Sequence, residues 1–395
     1  MRPTPGPALI CLTDAQLFDP SPQGRRSLVL GGGRVLWSGP ERPEWPSGFP
    51  VQTIDLAGRT LIPGLVDCHA HLAGGGGEAG FASRVPAPGL SRYVAAGVTT
   101  AVGLLGTDDT LRSIEELSAV AQGLGEEGLS TWFWTGGYHL PLRTLTGSAR
   151  RDICCLERCL GVGELALSDH RSSQPTLDEL LRVAADAHVA GLMTGKAGIL
   201  HLHLGDGPRG LDPVFAALER SELPPRVFHP THVNRRRALF DQALDLARRG
   251  AAIDVTAFPV TDGEDAWSAA EALGRFLAAG LPIERLTVSS DGGGCLPRFD
   301  AEGRVSGFDV GDPASLLETL AAVRAQGIGL ESALPAFTSS PARLLRLETK
   351  GHLRPGADAD CVALDERGRP WLVVARGRVL LEQGQLRVRG RFERP

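Results

Sequence analysis

Eight short apolar runs rich in β-branched residues recur through the middle of the chain, with helical segments between them. The starts of successive runs lie 25 to 38 residues apart, which is the length of one strand and helix unit. The intervening segments 177–188 and 239–249 place apolar residues at three- and four-residue intervals, as amphipathic helices do. Eight such units predict an α/β fold, a (β/α)8 barrel. The runs are 61–66, 98–104, 130–134, 160–167, 198–203, 226–230, 251–256 and 286–290.

Short β-runs separated by turn residues flank this repeat on both sides. The first 58 residues contain such runs at 8–12, 27–30, 34–37 and 51–55. The end of the chain repeats the pattern at 359–364, 371–375 and 378–381. Two small β-rich pieces are therefore expected, one before and one after the barrel.

Composition and charge limit the kinds of molecule that the chain is expected to bind. The chain has 395 residues, of which 42% are hydrophobic, enough to fill the core of a large barrel. The net charge is −5 and the basic residues are scattered, which argues against nucleic acid or an anionic membrane as partner. Seven unevenly spaced cysteines favour a reducing compartment over a disulfide framework, and no apolar segment reaches membrane-spanning length. We expect a cytoplasmic protein that acts on a small molecule.

Polar residues with metal-binding chemistry stand at the ends of five of the eight runs. Barrel enzymes carry their chemistry at the carboxyl ends of the strands, so these side chains are expected at one mouth. His69 and His71 are two residues apart in an extended segment and face the same way. Each residue alone is more often structural, but their coincidence at one face predicts a site for zinc or a similar divalent ion. The predicted ligands are His69, His71, Glu164, His203, His232 and Asp291.

Several strings in the sequence resemble the amidohydrolase superfamily. They are IPGLVD at 62–67 with the following His69 and His71, and GADAD at 356–360. Within the superfamily the chain resembles the isoaspartyl dipeptidases, through GGGGEAG at 74–80, GLLGTD at 103–108, SDHRS at 168–172, PTHVNR at 230–235 and SSDG at 289–292. The resemblance implies a metal-dependent barrel over 59–346 and a small β-sandwich domain formed by 1–58 and 347–395. It also implies a homo-oligomer.

What the resemblance implies about chemistry is hydrolysis of the β-aspartyl peptide bond of dipeptides. A hydroxide bridging two divalent ions, most suitably Zn²⁺, would attack the peptide carbonyl. Asp291 would serve as general base and then general acid, and Tyr138 would stabilise the oxyanion. Glu78 would bind the free ammonium group, and Arg171 and Arg235 would each hold a carboxylate. Gly76, Thr107 and Cys295 complete the predicted substrate site.

Two positions depart from the family pattern. The family commonly bridges its two zinc ions with a carbamylated lysine, and the matching position here is Glu164. We expect the Glu164 carboxylate to bridge the ions itself; the alternative is that it only caps a strand and a single ion carries the chemistry. Cys295 stands where the family has a serine near the substrate, and a thiol is a weaker hydrogen-bond partner.

Other functions remain open at this stage. One is another amidohydrolase activity, either a cyclic-amide hydrolase or an N-acyl-amino-acid deacylase; another is a scaffold that keeps the barrel without activity. Glu78 with two arginines favours the dipeptidase, because a cyclic amide offers neither an ammonium group nor two carboxylates. Two further histidines, His201 and His229, are assigned to the barrel interior rather than to the metal site.

Overall fold

Strands and helices alternate between residues 65 and 289 and close into a barrel. The structure is a computed structural model and describes residues 9–261, 263–299 and 305–394. The strands are β1 (Leu9–Asp19), β2 (Ser21–Gly31), β3 (Arg34–Gly39), β4 (Val51–Asp55), β5 (Thr60–Pro63), β6 (Leu65–Ala70), β7 (Val98–Gly103), β8 (Ser130–Thr135), β9 (Cys159–Leu167), β10 (Leu200–Leu204), β11 (Phe228–Thr231), β12 (Ile253–Thr256), β13 (Leu286–Ser289), β14 (Cys295–Phe299), β15 (Val305–Val310), β16 (Cys361–Leu364), β17 (Pro370–Ala375), β18 (Arg378–Glu382) and β19 (Gln385–Leu386). The helices are α1 (Leu90–Ala95), α2 (Ile114–Glu127), α3 (Ala149–Cys155), α4 (Leu177–Thr194), α5 (Asp212–Glu219), α6 (Arg237–Arg248), α7 (Ala269–Ala278), α8 (Ser315–Ala325), α9 (Leu330–Ala333) and α10 (Ser339–Leu344).

The barrel is formed by the eight strands β6 to β13. Strands β6 to β11 form one parallel sheet in chain order, and β12 pairs in parallel with β13. Strand β6 meets the end of β13 through a parallel bridge between Ala70 and Gly292, and the amide of His71 donates to the Gly292 carbonyl at 2.8 Å. The predicted barrel is confirmed, and its closure places the segment after β6 beside the segment after β13.

Helix boundaries follow local capping signals. In α4, Thr176 and Glu179 form a capping box, and Ser268 and Glu271 do the same for α7. Such caps satisfy amide groups that the first helical turn leaves without partners. The longest helix, α4, has 18 residues. Among the described residues, no helix combines the length and apolarity required to span a membrane.

The β-domain is built from both chain ends, as expected. Strand β5 pairs with β1 and with β16, so residues 60–63 belong to this domain rather than to the barrel. The predicted boundary at residue 59 therefore lies a few residues too early, and the apolar run 61–66 is two strands rather than one. The break falls at Gly64, where a Cβ atom would lie 2.1 Å from the Thr99 hydroxyl oxygen. The sequence pattern could not separate two consecutive buried strands that share one apolar run.

A buried ion cluster fastens the chain between α10 and β16 to the barrel. The Lys350 ammonium is 3% exposed and lies 2.6 Å from Asp360 Oδ2 and 2.7 Å from Asp358 Oδ2. It also donates to the Ser130 hydroxyl at the start of β8, at 2.6 Å. The two aspartates of the GADAD string therefore hold the β-domain against the barrel.

We expect Lys350→Met to lower the free energy of unfolding by about 3–5 kcal/mol, because it leaves buried carboxylates without a counter-charge. Urea denaturation followed by circular dichroism measures this, with the exposed Arg354→Met as the control. Equal midpoints for the two variants would mean that the cluster contributes little to stability.

Candidate metal centre and active site

One carboxylate stands at the centre of the predicted ligands. Glu164, on β9, is 1% exposed. Its Oε2 lies 3.1 Å from His203 Nδ1 and 3.6 Å from His232 Nε2. The same carboxylate lies 3.6 Å from His69 Nε2 and, through Oε1, 3.8 Å from His71 Nε2. Glu164 is thus within reach of all four predicted histidine ligands.

These ligand atoms fall into two sets that share Glu164. One set is His69, His71 and Glu164, and the other is Glu164, His203 and His232; within each set the ligand atoms lie within 4.8 Å of one another. Ligand atoms about 2.0–2.2 Å from a tetrahedral ion lie roughly 3.3–3.6 Å apart, close to most of the spacings seen here. The arrangement has the shape of two adjoining cation sites with one carboxylate between them.

Asp291 adjoins both sets. Its Oδ1 lies 3.0 Å from His71 Nε2 and 3.4 Å from His69 Nε2, and it groups with His69 and His232 as a third set. Both His232 and Asp291 adopt left-handed backbone conformations, with φ of 59° and 52°, directly after or near the ends of β11 and β13. Non-glycine residues adopt this conformation at an energetic cost and are common at functional sites.

The chemistry of the cluster matches a divalent cation. His69 Nε2 and Asp291 Oδ1 are buried and have no hydrogen-bond partner. Burial lowers the pKa of His203 to about 3, so its imidazole is neutral and free to act as a ligand. Burial also raises the pKa of Glu164 well above its usual range, and the nearby charge of Asp291 adds to this effect. A bound cation would compensate the two buried carboxylates and occupy the unpartnered atoms.

The imidazoles of two ligands are oriented by side chains that the sequence did not single out. Asp169 is buried, and its Oδ2 accepts a hydrogen bond from His203 Nε2 at 3.1 Å, which leaves Nδ1 for Glu164 and a metal. Thr256 Oγ1 lies 2.7 Å from His232 Nδ1 and leaves Nε2 facing the cluster. Partners of this kind fix ring orientation and tautomer. Asp169 lies inside the SDHRS string, and that was the only sequence signal for it.

Two oppositely charged side chains stand together at the mouth of the site. Arg171 Nη1 donates to Glu78 Oε1 at 3.0 Å, and Thr107 Oγ1 lies 3.4 Å from the same oxygen. The Nε and Nη2 groups of Arg171 are held by both oxygens of Asp169, at 3.0 and 2.8 Å. Since Asp169 occupies one edge of this guanidinium, a ligand carboxylate would meet its remaining Nη1 edge.

A second guanidinium and a phenol face the interior of the same cavity. Arg235 Nη1 donates to the Leu204 carbonyl at 2.8 Å and has no carboxylate partner among the described residues. Tyr138 is buried, with its hydroxyl 2.8 Å from His203 Nδ1. Burial and the charge of Glu164 raise the pKa of Tyr138 well above its usual range, so its hydroxyl remains a hydrogen-bond donor.

Gly76 and Cys295 line the same cavity. A Cβ at Gly76, whose φ is +70°, would lie 2.5 Å from the Ser83 carbonyl oxygen, so this position requires glycine. Burial and Glu78 raise the pKa of the Cys295 thiol to about 11, which keeps it protonated. Twelve of the thirteen predicted site residues line this one cavity, and the other, His69, lies next to two of them, Glu164 and Asp291.

Lys196 takes no part in this site. Its ammonium group donates to the carbonyls of Ile153 and Leu156, at 2.7 and 2.6 Å, at the end of α3. Among the described residues, Glu164 is the carboxylate that belongs to both the His69–His71 set and the His203–His232 set.

Solved structures resemble the chain over nearly its whole length. The chain is 39% identical to a β-aspartyl dipeptidase from Fervidobacterium islandicum in complex with β-Asp-Leu, with a TM-score of 0.92, covering 97% of this chain and 99% of that one. A second structure of that dipeptidase gives 38% identity and a TM-score of 0.88, with 96% and 98% coverage. Dihydropyrimidinase from Brevibacillus agri, at 15% identity and a TM-score of 0.66 over 98% of this chain and all of that one, shares the fold.

Sequence comparison adds a second group of relatives. The Amidohydrolase family model matches residues 52–122. Imidazolonepropionase from Pseudomonas aeruginosa is 26% identical over 86% of this chain and 87% of its own length. The imidazolonepropionase from Acidiphilium cryptum is 39% identical, but the match spans only 25% of this chain and 23% of that protein.

Proposed function

Because the chain belongs to the β-aspartyl dipeptidase family of the amidohydrolase superfamily, we propose that it is a metal-dependent dipeptidase that hydrolyses β-aspartyl dipeptides. The observation that carries the proposal is the Glu78–Arg171 pair at the mouth of a cavity floored by the Glu164 cluster. A β-linked aspartyl residue carries its free ammonium and carboxylate on one carbon. Adjacent opposite charges on the protein match that end of the substrate. In an α-linked dipeptide the corresponding carboxylate is consumed in the peptide bond.

The second arginine supports a dipeptide rather than a single amino acid derivative. Arg235 lines the same cavity as the Glu78–Arg171 pair and has no carboxylate partner among the described residues. A dipeptide such as β-Asp-Leu has a second carboxylate at its carboxyl end, which Arg235 would bind. Two arginines and one glutamate thus match two carboxylates and one ammonium group.

We assign the acid and base work to Asp291, whose carboxylate adjoins both histidine sets. It would accept a proton from the attacking water and deliver it to the leaving amine. Tyr138 would donate a hydrogen bond to the oxygen of the peptide carbonyl as negative charge develops there. Asp169 holds both His203 and Arg171, and so couples the orientation of a metal ligand to that of a substrate-binding group.

The proposed cofactor is a pair of divalent ions, for which the mixed histidine and carboxylate ligands favour Zn²⁺. His69 and His71 would hold one ion, His203 and His232 the other, and Glu164 would bridge them in place of a carbamylated lysine. When bound, the ions supply activation of water near neutral pH and polarisation of the peptide carbonyl.

The second candidate is ring opening of a cyclic imidazolone, favoured by the likeness to imidazolonepropionase over 86% of this chain. An imidazolone propionate carries one carboxylate and no ammonium group. It would therefore leave Glu78 and one arginine without a ligand partner. This mismatch places it behind the dipeptidase.

An assay of the zinc-loaded protein separates the two candidates. We expect release of leucine from β-Asp-Leu and no change in the ultraviolet absorption of 4-imidazolone-5-propionate. The apoprotein serves as the blank for both substrates. Ring opening of the imidazolone, with β-Asp-Leu left intact, would overturn the dipeptidase proposal.

Substitution of the arginines tests the two carboxylate contacts. We expect Arg171→Lys and Arg235→Lys each to raise KM for β-Asp-Leu by about tenfold or more, because an ammonium group cannot reproduce the planar guanidinium contacts. The exposed Arg248→Lys on α6 is the matched control. Initial-rate kinetics measure the effect, and KM values equal to wild type in both variants would remove these arginines from the substrate site.

A further inference from the structure

A line of hydrogen bonds runs from the metal cluster down into the barrel, away from substrate. His69 Nδ1 lies 2.8 Å from His201 Nε2, and His201 Nδ1 lies 2.9 Å from His229 Nδ1. His229 Nε2 continues to the Thr287 hydroxyl at 3.1 Å, and Thr287 donates to Asp254 Oδ1. All five side chains are completely buried. We call this series the histidine chain.

The fold holds the histidine chain in place. His201 and His229 are neighbours in the register of β10 and β11, so their rings stack 4.8 Å apart inside the barrel. The indole of Trp134 packs on the other face of His201, with ring centroids 5.3 Å apart, and donates to the Cys68 carbonyl at 3.1 Å. The rings have no space to rotate without breaking these contacts.

The direction of every hydrogen bond in the histidine chain follows from Asp254, at the end far from the metal cluster. Asp254 also accepts from Thr231 and Ser289, each at 2.6 Å, so it acts as an acceptor. Thr287 has one hydroxyl proton and gives it to Asp254, and it must therefore accept from His229 Nε2. A neutral His229 then has a bare Nδ1, which accepts from His201 Nδ1.

The same reasoning determines which nitrogen of His69, a predicted metal ligand, carries the proton. Since the proton of His201 is on Nδ1, its Nε2 is bare and accepts from His69 Nδ1. The remaining nitrogen of His69, Nε2, is then unprotonated and faces Glu164 and Asp291. A metal can bind that atom without displacing a proton.

We propose that His201 and His229 are positioning residues, which transmit the hydrogen-bond polarity of Asp254 to His69 and hold its imidazole as the tautomer that binds metal. The proposal rests on the proposed metal site and is independent of which substrate is cleaved. It gives a role to two histidines that are not among the predicted metal ligands.

Another reading of the lower part of the histidine chain is a third metal site. Ligand atoms of Cys68, His229 and Asp254 lie within 4.8 Å of one another. However, Cys68 Sγ already contacts Asp254 Oδ1 at 3.4 Å, and both oxygens of Asp254 accept from hydroxyl groups. The cluster is satisfied by its own hydrogen bonds, which favours the positioning role.

The test compares metal retention in His201→Leu and His201→Gln. His201→Leu removes the nitrogen that accepts from His69. We therefore expect the protein's affinity for the more weakly held of its Co²⁺ ions to fall about 10- to 100-fold. Competition with a chelator measures this affinity. The terminal carbonyl of glutamine lies where Nε2 lies in histidine, so this variant should stay within about threefold of wild type. His188→Leu, on the partly exposed face of α4, is the matched control and should not change the affinity.

A second measurement does not depend on metal. We expect the apoprotein to show slowly exchanging downfield imidazole N–H proton signals in NMR spectra. His201→Leu should lose the signals of His69 and His201, whereas His229→Leu should lose only that of His229. His229→Leu should weaken Co²⁺ binding less than His201→Leu, because the His229 backbone carbonyl lies 3.1 Å from His201 Nδ1 and would still accept.

The outcomes are distinguishable. Wild-type protein that binds no Co²⁺ would contradict the metal site and the proposed function together. Metal binding in wild type with unchanged affinity in a folded His201→Leu variant would overturn only the positioning role, as would equal losses in the leucine and glutamine variants. A third metal equivalent that disappears in His229→Leu would also overturn it, because His229 would then be a ligand.

Discussion

Replacing Asp291 with asparagine is expected to lower kcat for β-Asp-Leu by about 10²- to 10⁴-fold, the usual span for loss of a general acid or base. The amide keeps the shape of the side chain but cannot accept the proton. Glu164 and the four histidines remain in place, so we expect metal content close to that of wild type. Steady-state kinetics and elemental analysis of the same preparation measure both quantities.

Asp245→Asn, at an exposed position on α6, is the control for an aspartate-to-asparagine change outside the site. Near-full turnover of Asp291→Asn with confirmed metal content would show that another group transfers the proton. Loss of both ions in this variant would instead make Asp291 chiefly a ligand.

The second large effect is expected at Glu164. Glutamine there removes the charge shared by both ligand sets, so two equivalents of metal in the wild type should fall to one or fewer. We expect turnover to fall by roughly 10²-fold or more, because bound ions contribute several kcal/mol of transition-state stabilisation. Metal equivalents after reconstitution are read by elemental analysis. One equivalent in both proteins would support a single-metal site with Glu164 outside it.

Bicarbonate separates a glutamate bridge from a carbamate. Glu164 needs no carbon dioxide to become anionic, so activity after reconstitution should be the same with and without added bicarbonate. A carbamate detected on Lys196 by mass spectrometry would contradict this assignment, as would activity that depends on bicarbonate.

The barrel strands and the convergence of the candidate metal ligands were predictable because their signals are local. Each strand carries its own apolar run, and the barrel rule puts the residues after each run at one mouth. Glu164 was identified by its place in the fourth run, and its distances of 3.1 to 3.8 Å to four histidines agree with a shared position.

What the sequence could not provide are contacts between distant segments. His69 and His201 are 132 positions apart, and the sequence has no signal that joins them. Their contact arises from barrel closure and from the depth of His201 in β10. The Glu78–Arg171 pair, 93 positions apart, is of the same kind. Asp169 was also not predicted as a site residue, because an aspartate after a strand is common in turns.

The most direct test of the proposed activity is the ratio of kcat/KM for β-Asp-Leu to that for α-Asp-Leu, measured on the zinc-loaded protein. The two dipeptides have the same composition and differ only in which carboxyl group forms the peptide bond. In the β-linked isomer, Glu78 and Arg171 can bind the ammonium and the carboxylate of one α-carbon. The α-linked isomer lacks that carboxylate, so the site loses a charge-assisted contact. We therefore expect kcat/KM for β-Asp-Leu to exceed that for α-Asp-Leu by about 10² or more. Cleavage of neither isomer, or a preference for the α-linked one, would contradict the assignment.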